Sequence, residues 1–227
     1  TISFYMRILR AIYNRAAEKE LTRQRNPFRH VYTGIEKTVK RAIPIQIVRL
    51  IKEKKLNPAD SISYARDMFL FSFYTRGMSF VDMAYLKKKD LSNGILTYRR
   101  KKTGQQLSIK WEQCMQDIID KYPPNPTEYL LPIIISEKTD KRRQYKNSMT
   151  LINRKLKNLS AMTHSPYPLS MYVARHSWAS IAKSKNIPLS IISECMGHDS
   201  ESTTQIYLAS LDNAVIDMAN HLVINDL

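Results

Sequence analysis

Only two cysteines, Cys114 and Cys195, occur in the 227 residues, and no CxxC pair exists. Two thiols so placed build neither a disulfide framework nor a thiolate metal cluster, and their neighbours suggest helix faces; a reducing, intracellular setting is expected. The five histidines are scattered with no HxxxH or HxH spacing, so no protein-built metal site and no metal or other cofactor is predicted. The longest apolar run, 130–135, contains Pro132 and falls far short of the roughly 20 residues a membrane helix needs. The start of the chain interleaves Arg7 and Arg10 with its apolar residues and offers no small-residue cleavage site, which argues against a signal peptide. The first residue is Thr1 rather than methionine, and a fragment of a longer protein is expected.

Basic residues are missing from one place in particular. Residues 194–227 contain six acidic residues and no Lys or Arg, so residues 1–193 hold all 36 basic residues against the remaining 14 of 20 acidic ones, a surplus of 22. With a net charge of +16 and a pI near 9.8, such a body points to a polyanionic partner bound through counterion release. An anionic membrane is the rival polyanion, but neither an amphipathic surface anchor nor a lipidation signal is evident. Any one charge run reads as a solvated face; the asymmetry as a whole reads as nucleic acid.

What is present is mainly helical periodicity. Residues 2–21 carry Ile2, Met6, Leu9, Tyr13, Ala16 and Ala17 at helical spacings, on a segment too short to bury its own core. Residues 26–44, punctuated by Asn26-Pro27 and Pro44, read as a basic linker, which sets domain boundaries at 1–25, 26–44 and 45–227. Residues 45–56 suggest a helix. Asn57-Pro58 and Asp60 start another that runs to about Thr75, with Phe69, Leu70, Phe73 and Tyr74 on its buried face, and 79–86 continue as a shorter one. The period then changes to two across Ile95, Thr97 and Arg99 and back across Leu107, Ile109 and Trp111 around Thr103-Gly104, the pattern of a basic hairpin. Helices are predicted at 111–121, 140–159, 170–185, 188–196, 201–211 and 211–223. The fold class expected is mainly α with a small antiparallel β-sheet.

Singly, the polar residues of the last third are unremarkable. An Arg on a helix is most often a surface charge, a His after a Gly a helix-end polar group, and a Tyr at a helix end a half-buried aromatic. Arg175-His176, however, lies among Val173, Ala174, Trp178, Ala179 and Ile181, where a buried charge requires a partner. Taken together, Arg175-His176, then Met196-Gly197-His198, then Thr203-Thr204-Gln205-Ile206-Tyr207, resemble the signature of the tyrosine recombinases, the phage-integrase family. Its Leu-Gly-His block is matched with Leu changed to Met, and Lys102-Thr103-Gly104 matches its Lys-Thr-Gly turn. The phrases YTRGMSFVD and YVARHSWAS look most like the branch carried on bacterial conjugative transposons.

The resemblance implies a catalytic domain preceded by the end of a helical core-binding domain, and a site-specific recombinase acting on double-stranded DNA, as a tetramer on paired sites, in the bacterial cytoplasm at the nucleoid. It implies Tyr207 as nucleophile, Arg175 and His198 as donors to the phosphoryl oxygens, and Lys102 as the acid for the leaving 5′-oxygen; a tyrosine hydroxyl with a free pKa of about 10 needs that support. Two positions depart from the family pattern. Tyr172 stands where His or Lys is usual, and Ser79 where the first catalytic arginine is expected; Arg76, one helical turn earlier if the helix continues, is a candidate replacement, as is a water-assisted Ser79. Asp82 is read as structural. Arg99, Arg100, Lys101, Arg142, Arg143, Lys146 and Arg154, with Lys141 and Lys155, are assigned as phosphate contacts that set register. The departures keep a second reading open, a DNA-binding relative that has lost the chemistry.

Overall fold

The computed structural model describes residues 2–34, 41–198 and 204, and the chain divides into two compact units, Thr1–Val39 and Lys40–Leu227. In the first, helix α1 (Ile2–Glu18) buries none of its residues and leaves Ile2, Phe4, Tyr5, Ile8, Leu9 and Ile12 exposed. Tyr13 ties its far end to the following segment: the hydroxyl donates to Arg23 O (2.9 Å) and accepts from Arg25 N (2.8 Å), while the ring meets Phe28 edge-on.

The second unit is built around α3. Its order is α2 (Ile45–Glu53), α3 (Ser61–Tyr74), α4 (Phe80–Ala84), a 3-10 turn at Lys88–Asp90, β1 (Leu91–Ser92), β2 (Ile95–Arg99), β3 (Gln106–Lys110), α5 (Gln113–Ile119), α6 (Lys141–Met162), α7 (Met171–Ser184) and α8 (Leu189–Met196). The predicted helix at 45–56 stops at Glu53, and the helical span predicted at 140–159 extends to Met162. The sheet is larger than a hairpin: β1 pairs antiparallel with β2, and β2 with β3 in the register Ile95↔Lys110 to Arg99↔Gln106. Period-two alternation turns Leu96 and Tyr98 inward opposite Leu107 and Ile109.

α3 has no solvent stripe of the kind the sequence pattern suggests. Ala65, Met68, Phe69 and Phe71 are all fully buried, whereas Phe73 and Tyr74 are only half-buried. A helix with no exposed side is a core helix, and α3 is packed against α6 and α7. Asp67 on it is almost fully buried, and its carboxylate is met by Arg66 (3.0 Å), Lys121 (3.2 Å) and the Tyr122 hydroxyl (2.9 Å), which clamps the end of α5 to α3.

Three polar contacts, two of them buried, fix α7 and the chain leading into it. Ser177 Oγ accepts from Ile43 N (3.0 Å), Asn153 Oδ1 from Met171 N (2.9 Å), and Ser160 Oγ from Leu169 N (2.6 Å). The proline-rich stretch before α6 is held by Asn125, whose amide donates to Leu131 O (2.8 Å) and Ile134 O (3.0 Å). Among the described residues no helix is long and apolar enough to cross a membrane.

Candidate active site

Arg175 lies on the buried side of α7, 4% exposed, between Ala174 and His176. A guanidinium stays charged, so burial there demands acceptors. Two backbone carbonyls and a ring nitrogen supply them: Nη1 donates to Gly77 O (2.7 Å), and Nη2 to Met196 O (2.7 Å) and to His198 Nε2 (2.8 Å). The turn after α3 delivers the first of these. Ser72 O accepts from Gly77 N (2.8 Å), and the Ser72 hydroxyl donates to Met78 O (2.7 Å), pressing the turn onto α7. Only glycine fits at 77, since φ is +73° and a Cβ would come within 2.8 Å of Arg175 Cα.

The second carbonyl comes from the end of α8, where Gly197 closes the helix in the left-handed conformation (φ +63°) and turns His198 inward. His198 is 9% exposed. An arginine N–H can only donate, so Nε2 carries the lone pair; the ring proton therefore sits on Nδ1 and is donated to Thr204 Oγ1 at 2.7 Å. Burial, then the fields of Arg175, Arg100 and Lys102, push His198 from its ordinary value down to about 4. The imidazole is neutral at pH 7, and its Nε2 accepts from Arg175.

Arg100 is the residue whose position the sequence least suggested. Its neighbours Arg99 and Lys101 are exposed, but Arg100 is 6% exposed and its Nη1 donates to Gly197 O. Its Nε lies 3.9 Å from Asp82 Oδ2 and has no hydrogen-bond partner among the described residues. Asp82, also buried, accepts the Ser79 hydroxyl on Oδ2 (2.6 Å) and the Lys101 amide on Oδ1 (2.8 Å). Ser79 Oγ also accepts from Asp82 N (3.3 Å), which makes it the N-cap of α4, and Asp82 anchors the turn that exposes Lys102. The sequence did hold a signal for Arg100: Leu96, Tyr98 and Arg100 share one strand parity, the buried one.

Arg76 is placed elsewhere than the helical spacing would put it. α3 ends at Tyr74, Arg76 adopts φ +59°, and its Nη1 reaches Ser108 O on β3 at 3.4 Å. The helix does not continue from Arg76 to Ser79, so the two do not share a helical face. Tyr172, 55% exposed, stacks edge-to-face on His176 with centroids 4.4 Å apart. Arg99 donates to Gly104 O (3.3 Å), Lys101 Nζ sits 4.6 Å from the centre of the Tyr85 ring, and Lys141 pairs with Glu137 (2.7 Å). Arg142, Arg143, Lys146 and Arg154 are exposed on α6, and Lys155 is half-buried. Tyr207 and the predicted terminal helix at 211–223 lie outside the described residues. The structure thus joins Arg175, His198 and Arg100 by hydrogen bonds around 196–198, with Lys102 near enough to act on His198 through its charge. Among the described residues no group of three or more His, Cys, Asp or Glu could hold a metal ion.

Residues 43–214 match the model of the phage integrase family. The chain is 27% identical over 214 residues to the tyrosine recombinase XerA of Pyrococcus furiosus, covering 91% of this chain and 68% of that protein. Solved structures share the fold. A crystal structure of XerA recombinase matches with TM-score 0.55 at 18% identity, over 90% of this chain and 71% of that one. The Tn1549 transposon integrase in complex with a circular intermediate DNA matches with TM-score 0.60 at 14% identity, over 92% and 76%. A lambda integrase tetramer bound to a Holliday junction matches with TM-score 0.58 at 15% identity, over 87% and 56%.

Proposed function

The chain belongs to the phage integrase family, and on that premise we propose that it is a site-specific recombinase that cuts and rejoins double-stranded DNA through a 3′-phosphotyrosine intermediate, integrating and excising a mobile element. The observation that carries the proposal is the convergence of two buried guanidiniums, Arg175 and Arg100, with His198 on the backbone of Met196 and Gly197. Two fixed cations in a water-poor recess, one of them with a donor that lacks a partner among the described residues, suit the charge that builds on phosphoryl oxygens.

In this reading the Tyr207 oxygen attacks the scissile phosphorus, the new P–O(tyrosine) bond replaces the P–O5′ bond, and the 5′-oxygen takes a proton from Lys102 on its exposed turn. In the same scheme the Arg175 Nη2–H turns from His198 Nε2 to a phosphoryl oxygen, and the lone pair so freed on the neutral imidazole accepts the tyrosine proton. Arg100 supplies the cation that Ser79 does not, while Ser79 and Asp82 hold the turn that bears Lys102. Phosphodiester energy is kept in the phosphotyrosine bond, so the scheme calls for no nucleotide and no metal. The exposed basic residues of α6, with Arg99 and Lys101, serve as phosphate contacts that set register on the duplex.

Residues 1–25 are assigned to the end of a core-binding domain, 26–44 to the linker and 45–227 to the catalytic domain. The protein works as a tetramer on paired DNA sites in the bacterial cytoplasm. The test is a suicide DNA substrate carrying the element's own junction: a denaturant-resistant protein–DNA adduct is expected, and it should disappear in Tyr207→Phe. Binding to that site without any adduct would refute the recombinase and leave a DNA-binding protein without the chemistry.

A further inference from the structure

Thr204 is completely buried, and its hydroxyl meets the Nδ1 proton of His198 at 2.7 Å. On the other side of the ring, Nε2 is engaged by Arg175 at 2.8 Å. The imidazole is therefore gripped from both nitrogens, by α7 on one side and by the chain beyond α8 on the other. Thr204 stands only three residues before Tyr207. A base whose far nitrogen is held by a third group keeps one tautomer and one orientation, and that group also steadies the cation formed when the base takes a proton. The groups that face the ring from the packed elements are Arg175 of α7 and Arg100 and Lys102 of the β2–β3 turn. Among the described residues the Thr204 oxygen is the acceptor placed against Nδ1.

We infer that Thr204 is a positioning residue for the reaction proposed above: Arg175 sets the tautomer, and the Thr204 hydroxyl, by accepting the Nδ1 proton, holds the tilt and position of the ring so that Nε2 faces the site. The inference rests on the recombinase reading.

Thr204→Val keeps the shape and removes the acceptor that Nδ1–H meets at 2.7 Å; Thr204→Ser restores it. At saturating suicide substrate, single-turnover adduct formation by Thr204→Val is expected to slow roughly ten- to a hundredfold, with DNA affinity within about twofold of wild type and with Thr204→Ser within about threefold in rate. In DNA-free protein, the Nδ1–H proton shift of His198 should show a hydrogen-bonded proton in the wild type and in Thr204→Ser, and the loss of that bond in Thr204→Val, with the tautomer unchanged. Wild-type rates in Thr204→Val overturn the inference while leaving the recombinase reading intact. Rate and affinity falling together without rescue by Ser overturn it in favour of a merely structural threonine. Absence of any adduct in the wild type overturns the recombinase reading, and this inference with it.

Discussion

Replacing Arg100 with alanine separates two accounts of how the charge missing at Ser79 is made good. Arg100 points its guanidinium at Gly197 O and, at 3.9 Å, at Asp82. Arg76 points away, to a single carbonyl on β3 at 3.4 Å. Removing one preorganised donor from a developing oxyanion costs about 10²–10³ in rate, or about 2.7–4 kcal/mol of transition-state stabilisation. That loss is expected for Arg100→Ala. For Arg76→Ala, with one long hydrogen bond at a partly exposed site, the rate should stay within about threefold. Folding stability should also fall in Arg100→Ala, by about 1–3 kcal/mol. The loss stays below the about 3–5 kcal/mol of a fully broken buried pair because Asp82 keeps the Ser79 hydroxyl and the Lys101 amide. The assay is single-turnover adduct formation on the suicide substrate, at a temperature where thermal melting shows each variant folded. Arg100→Lys, which keeps the charge and loses the fork, should fall between wild type and Ala. An independent readout is the titration of His198, which should move up toward its ordinary value once the Arg100 field is gone. Arg100→Ala cleaving within about threefold of wild type, or Arg76→Ala slowed as much as Arg100→Ala, would refute the assignment.

Two further outcomes follow from the same geometry. Gly77→Ala should lower stability by about 2–5 kcal/mol, adding a left-handed backbone penalty to a close approach on Arg175; Gly94→Ala, at a similar φ of +71° but with nothing within 4 Å of its Cβ, should cost only the first part, about 1–2 kcal/mol. Urea unfolding of the two checks this, and equal losses would show that the contact with α7 is not what requires glycine. Stability of the DNA-free protein should also depend on His198: its folded value of about 4 lies below its ordinary 6.5, so the unfolded chain binds the proton first as pH falls. The contribution is complete above about 6.5 and is lost progressively as pH falls toward 4, and His198→Gln should flatten that part of the curve; parallel curves for variant and wild type would contradict it.

Local pattern alone determined a good deal about this protein. Helical spacing and turn residues located α3, α6 and α7, and the change to period two around Thr103-Gly104 located the basic hairpin, because 3.6 and 2.0 are properties of the backbone that need no distant partner. The charge asymmetry was legible for the same reason, as a statement about composition, whereas Arg175, Gly197 and His198 stood out through their resemblance to a family motif. Even Arg100 was half-legible, through its parity with Leu96 and Tyr98. What only the tertiary structure decided is which identical-looking residue goes where. In the run Arg99-Arg100-Lys101-Lys102 one guanidinium is buried and the other side chains are exposed, and that follows from α8 ending against the strand, 97 residues away. Arg175 could be recognised as a buried charge in need of partners, yet its partners proved to be carbonyls 98 and 21 residues distant. Arg76 left the expected face because the chain turns left-handed after Thr75, and α3 buried Met68 and Phe71 because α2, α5, α6 and α7 all pack against it. The proton on His198 was settled by an arginine that can only donate and a threonine that can accept, and no spacing rule encodes such a pairing.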